Sequence, residues 1–410
     1  MGANSALERR MSELGLNQPE LARQMNAAIE EKTGRPGSFS DRSVRRLLDG
    51  TTTRPIGRTA KALEVVFGCD LRDLGFGASA PPEDPVRRRN FITSVTGAAA
   101  AATPLFAPPQ VGTTDVLRLG RGLSRLTELD DQRGGHADLE QAALKGAAKA
   151  IDLQDRSASE KVKNRLFGLA AHYTAWAAWS CVDARHLDHA QQHLDRAMTL
   201  AGMAQDGLAQ FRVWNAIAML ARQRSRYTDA VAAAKAAQAL AVCRHDPLFS
   251  SLAYARTAVG LAHQGDKQAA LRCVGRAEDT LGRAPMANRE DWVDFYGPAE
   301  LMAIKAVVNE HLGMPAEAEA ASHRALAAIP DRFRRNRGLA TAHMAMAQLH
   351  QGELDLACST AASVFDIMRG IEMPGRMRTD LGDFHRHLLD RAPNSVQARE
   401  WNERLRAKWS

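Results

Sequence analysis

Apolar residues recur at helical spacing along most of this chain, which predicts an all-α protein. Leu7, Met11 and Leu14 set the stripe of a first helix, and Gly15 ends it. Asn17 is placed to cap a second helix whose first turn is Gln18-Pro19-Glu20 and whose inward residues are Leu21, Ala22 and Met25. A polar stretch with Gly34, Pro36 and Gly37 separates it from a third helix capped by Ser40. Val44, Leu47 and Leu48 supply the buried side of that helix, and Asp49-Gly50 stops it. Its arginines, Arg42, Arg45 and Arg46, are left toward solvent.

Beyond Ala170 the pattern repeats. The segments "RHLDHA", "SRYTDA", "GDKQAA", "GMPAEA" and "GELDLA" end at Ala190, Ala230, Ala270, Ala318 and Ala357, in steps of 40, 40, 48 and 39 residues. Twelve residues before each stands another alanine (Ala178, Ala218, Ala258, Ala306, Ala345). Seven residues after stand Ala197, Ala237, Ala277, Ala325 and Val364. Small residues at these points let two antiparallel helices approach closely around a turn. The spacing resembles that of tetratricopeptide (TPR) repeats, with a period nearer 40 than 34 and the large aromatic positions mostly unfilled. The longer third step falls at "APMANREDWVDFYGPAE", where Trp292, Phe295 and Tyr296 are expected to fold over the solenoid. Thr113 to Gln154 should add two helices in front, and Gly375 to Trp409 should cap the far end.

Between these regions lies "GASAPPEDPVRRRN", a linker by its small residues and prolines. The following "RRRNFITSVTGAAAAATPL" has the look of a twin-arginine export signal, but an export signal belongs at an N-terminus. Its apolar run is interrupted by threonines, a serine, a glycine and a proline, so it is a poor membrane span. The expected role is an alanine-rich hinge, with no stable membrane insertion. The expected organisation is residues 1–76 as a small helical domain, 77–112 as the linker, and 113–410 as the solenoid.

Composition adds little that conflicts. Alanine is the best helix former. The net charge of +7 and pI near 9.3 lean toward an anionic partner. Five scattered cysteines without a CxxC pair indicate neither a zinc ribbon nor a disulfide framework, which fits a cytoplasmic protein. From Ser40 to Lys61 six basic residues face only Asp41 and Asp49.

A short helix carrying base-reaching and phosphate-binding side chains is what major-groove reading requires. "LERRMSELGLNQPELARQM…FSDRSVRRLLDGTTTRP" resembles the helix-turn-helix of the Xre/lambda-repressor family, with Gly15, Leu16, Gln18, Glu20, Leu21, Ala22, Ser43, Val44, Gly50 and Pro55 on matching positions. The resemblance implies that Gln18 touches a phosphate. It implies that Asp41, Arg42, Arg45 and Arg46 read bases and backbone, with Ser43 and Arg54 beside them. One departure is the stretch "NAAIEEKTGRPGSF", longer than the family's tight turn. Joined to a TPR-like solenoid, the domain resembles cytoplasmic transcription regulators, including peptide-sensing regulators of Gram-positive bacteria. Its composition also resembles that of actinobacterial regulators. This implies a homodimer bound to a double-stranded DNA operator.

On the repeat frame the first helix of each hairpin lines the inner face, which places Trp179, Arg212, Asn215, Met219, Arg222, Arg256 and Val259 inward. Asparagine amides can pair with a peptide backbone and arginines can grip a carboxylate. Trp176, Trp179 and Trp214 could serve as apolar walls. The expected ligand is a signalling peptide or a small molecule. No catalytic constellation, P-loop, GxGxxG or GxSxG motif occurs, so neither an enzyme nor a cofactor is expected. His186, His189 and His193 share a helical face, but no cysteine or carboxylate stands at a matching place, so no metal site is expected either. The other reading is a solenoid adaptor that docks partner proteins and binds DNA only weakly.

Overall fold

The structure, a computed structural model, describes residues 4–14, 16–33, 39–52, 55, 57–71, 73–76, 111–133, 136–285, 289 and 291–409. Among the described residues there are nineteen α-helices and no strand. The chain divides into two compact units, Met1–Ala107 and Pro108–Ser410. Gly15, Arg54 and the twin-arginine-like stretch lie outside the described residues.

The first unit holds α1 (Ser5–Glu13), α2 (Gln18–Thr33), α3 (Asp41–Leu48) and α4 (Gly57–Phe67). Leu7, Leu21, Met25, Val44, Leu47 and Leu63 form its core and are almost fully buried. Leu14 departs from the expected stripe: α1 ends at Glu13, and Leu14 has turned out to solvent at 52% exposure. Much of the long stretch after Met25 is taken up by helix, since α2 runs on to Thr33.

In the second unit α5 (Thr113–Arg133) and α6 (Ala137–Asp152) precede five helix pairs that follow the sequence repeat. The pairs are α7 (Glu160–Ala184) with α8 (Leu187–Ala204), and α9 (Gly207–Gln223) with α10 (Tyr227–Ala239). A short helix, α11 (Ala241–His245), leads into α12 (Pro247–His263) with α13 (Lys267–Leu281). The last two pairs are α14 (Pro298–His311) with α15 (Pro315–Ala328), and α16 (Arg334–Gln351) with α17 (Leu354–Ile367). The chain closes with α18 (Gly375–Arg391) and α19 (Val396–Trp409). Val111 is already buried here, and its N–H donates to the Ser157 carbonyl at 3.1 Å. Val111, within the span 77–112 read as linker, thus packs with the second unit.

All fifteen repeat positions are buried, none above 4% exposed, so each pair packs where a larger side chain would hold its helices apart. Five residues before each of the five turn-following alanines the backbone is left-handed: Arg185 (φ 66°), Ser225 (58°), Gly265 (78°), Gly313 (70°) and Gly352 (89°). Such a residue ends the first helix and lets the chain reverse at once.

The array does not stay open. Arg335 on α16 donates to Asp130 on α5 at 2.7 Å and to Asp183 on α7 at 3.5 Å. Arg376 on α18 pairs with Asp183 at 3.0 Å. Gly375 comes so close to α7 that a Cβ there would sit 2.3 Å from the Ala184 carbonyl oxygen. So α18 does more than cap the far end: α16 and α18 return to α5 and α7, and the helix pairs enclose a central space.

Candidate functional site

In the first unit, two devices orient α3. The Asn26 side chain, on α2, donates to the Phe39 carbonyl at 2.8 Å and accepts from the Phe39 N–H at 2.7 Å. This clamp returns the chain to α3 after the long stretch. The Ser43 hydroxyl accepts from the Ser40 N–H at 3.3 Å, which satisfies a donor at the start of α3. With Val44 and Leu47 buried, Asp41, Arg42, Arg45 and Arg46 are exposed and Ser43 is half-buried. Gln18 is half-buried at the first position of α2, next to Asn17, whose Oδ1 accepts from the Glu20 N–H at 2.9 Å. The stretch thus presents three guanidinium groups from one short, firmly seated helix.

In the second unit the seven residues expected inward, Trp179, Arg212, Asn215, Met219, Arg222, Arg256 and Val259, line one cavity, together with Trp176. It encloses about 1260 Å³ between protein atoms, its mouth included. Trp214 is not among its walls and packs into the hairpin core near Ala218, Ala233 and Ala234.

Sequence reasoning stopped at the third pair and missed the rest of the lining. The frame itself could have extended further. Two residues before each central alanine stand Trp176, Ala216, Arg256, Ile304 and His343, and all five line the cavity. No repeat signal marks Trp292. It comes from the inserted turn Asp291–Val293, which folds inward against Phe211 and Phe249 at ring distances of 6.3 and 6.0 Å. Tyr296 anchors that turn through its hydroxyl, 2.7 Å from Ser251 Oγ in the core.

The cavity is rich in buried charge. Arg212 lies with its Cζ 4.3 Å from the Trp176 ring centre and 5.2 Å from that of Trp292, a cation–π sandwich. The Asn336 amide donates to Glu300 at 2.9 Å. Arg256 Nε donates to Asn215 Oδ1 at 2.9 Å. Arg222 makes no ion pair among the described residues, and its buried Nε has no acceptor. Burial, reinforced by the nearby Arg376 charge, pushes the Arg222 guanidinium down to about 10, with Asp380 opposing. It nevertheless stays protonated at neutral pH. Burial likewise raises the Asp130 carboxyl, against the pull of Arg335.

A third cluster was not expected. Glu140 on α6, Cys181 on α7 and His193 on α8 bring one potential ligand atom each to within 4.8 Å of one another. The cysteine and carboxylate come from other helices, which a search along one helical face does not find. His193 Nε2 and Glu140 Oε1 lie 2.9 Å apart and satisfy each other. Burial, and then Glu140, push the Cys181 thiol up to about 12, so it is an unreactive thiol at neutral pH. No helix among the described residues is long and apolar enough to cross a membrane.

No family model matches the chain, and a search of curated proteins finds no match, so both sites stand on their own geometry.

Proposed function

We propose that the chain is a sequence-specific DNA-binding transcription regulator whose second unit, a TPR-like solenoid, binds a signal molecule in its central cavity. The observation that carries the reading is α3: eight residues with Val44 and Leu47 buried and Arg42, Arg45 and Arg46 exposed. A helix anchored on one side and cationic on the other suits the major groove, where arginine pairs with guanine edges and phosphates. The arrangement is consistent with the resemblance to the Xre/lambda-repressor helix-turn-helix. In that reading Gln18 and Arg54 hold phosphates and Asp41 and Ser43 tune the contacts of α3.

Two such heads in a homodimer, about one duplex turn or 34 Å apart, would read a palindromic operator. A ligand in the solenoid regulates by binding one conformation of that dimer better than another. The experiment is genome-wide mapping of bound sites. A small set of sites sharing a motif supports the regulator. Uniform, salt-sensitive occupancy without a motif points to a solenoid adaptor with only weak, general DNA affinity.

A further inference from the structure

Three of the cavity's arginines are half-buried and crowd together. Arg222 on α9, Arg256 on α12 and Arg376 on α18 lie near enough to repel one another. Of the three, Arg376 alone has a carboxylate in salt-bridge reach among the described residues, Asp183 at 3.0 Å. Arg256 is held by a neutral amide and the Arg222 Nε has no acceptor, while Glu300 and Asp380 act on the two only from beyond salt-bridge reach. Crowding like charges away from bulk water with no carboxylate in direct contact is costly, and a fold has no reason of stability to keep them. An anion placed among these guanidinium groups removes that cost, and arginine's planar fork suits a carboxylate or phosphate.

Beside them, and beside the carboxylates Asp130, Asp291 and Glu300, stand large apolar rings. Trp176, Trp179, Trp292 and Phe295 face the same space. An extended peptide fits it poorly, for two reasons. The return of α16 and α18 to α5 and α7 bounds the inner face at both ends. The amides that would pair with a peptide backbone are also half used, Asn215 by Arg256 and Asn336 by Glu300.

We propose that the cavity binds a compact amphipathic anion, one carboxylate or phosphate on an aromatic body, the acid gripped by Arg222 and Arg256 and the body held among the tryptophans. This deepens, and rests on, the reading of the second unit as a ligand-binding unit. A concave space with large rings and a few convergent charged groups suits one small molecule.

The test uses the full chain without DNA, and three probes of one shape: 2-naphthoate, 2-naphthyl phosphate and the neutral 2-naphthamide. Calorimetry and thermal shift should show saturable binding of at least one anion, with the amide weaker by about tenfold or more. Binding of the carboxylate alone, or of the phosphate alone, supports the proposal and identifies the acid group. Arg222→Met and Arg256→Met should each weaken the anion by about tenfold to a hundredfold and bring it level with the amide. Arg222→Met should leave the ligand-free melting temperature unchanged or higher, which a structural arginine would not do. The proposal is overturned if neither anion binds, if the amide binds as tightly, or if both variants bind the anion unchanged. Should Arg222→Met fail to fold, Arg222→Gln and the Arg256 variant carry the same readout. Loss of the anion effect with operator selection intact removes only the ligand class. Loss of operator selection leaves the anion result standing.

Discussion

The Arg335 guanidinium donates to the Asp130 carboxylate at 2.7 Å across 205 residues of sequence, with both side chains more than nine-tenths buried. Together with Arg376 and Asp183 it forms an ion cluster that ties the last helix pair to the first helices of its unit. Removing one member of a buried pair strands the other, at about 3–5 kcal/mol. Arg335→Ala strands Asp130 and should cost about that much in urea unfolding of the second unit. Asp130→Ala should cost less, because Arg335 keeps Asp183. Equal, small effects of both would show that the closure does not depend on this cluster.

Nothing in the sequence announced that closure. The repeat alanines were legible because each pair needs a small residue at the same place, so the constraint is copied five times. The Asp130–Arg335 pair occurs once, between residues of common type, with no periodicity to mark it. Trp292 was legible as an inserted aromatic, and its inward docking on Phe211 and Phe249 was not. The cavity was half legible: its first three pairs gave Trp179, Arg212, Asn215, Met219, Arg222 and Arg256. Arg335 and Arg376 arrive only through ring closure.

The left-handed turn residues allow a stabilising change. Ser225 holds φ at 58° where three of the other pairs use glycine. A residue with a Cβ pays roughly 1–2 kcal/mol there, partly offset by the greater unfolded-state freedom of glycine. Ser225→Gly should therefore stabilise the second unit by about 0.5–1 kcal/mol in denaturant unfolding. Destabilisation would mean that the Ser225 side chain has a role the turn geometry does not require.

Stability should fall in mild acid. Burial, then the Arg212 charge, pushes His172 down to about 4. Burial, then His311, pushes His263 down to about 3, where it lies stacked on Tyr227 at 4.4 Å. His343 is lowered by burial as well. Each is neutral in the folded unit at pH values where the unfolded chain binds a proton. Their contribution is complete above pH 6.5 and is lost as pH drops toward 4. The urea midpoint of the second unit should be lower at pH 5 than at pH 7.5, and His263→Gln should flatten the slope. A midpoint that rises over the same interval would contradict this.

The Asn26–Phe39 clamp seats α3 in the first unit. Asn26→Ala removes both bonds and leaves the Phe39 N–H and carbonyl without that partner, at about 1–3 kcal/mol. The variant should lower both the melting temperature of the first unit and its DNA affinity, whereas Asn26→Asp should keep the bond from the Phe39 N–H and recover part of each. Unchanged DNA affinity in Asn26→Ala would show that α3 is oriented by its core residues alone.

The central claim is that α3 reads sequence. Its most direct test is a competition gel shift with a bound site from the genome-wide map, comparing the full chain with its Arg42→Ala and Arg46→Ala variants. Each variant should lose about 1–3 kcal/mol of preference for the site over random DNA, with helical circular dichroism unchanged. If both variants select the same site as strongly as the unaltered chain, α3 is not the recognition helix and the account fails.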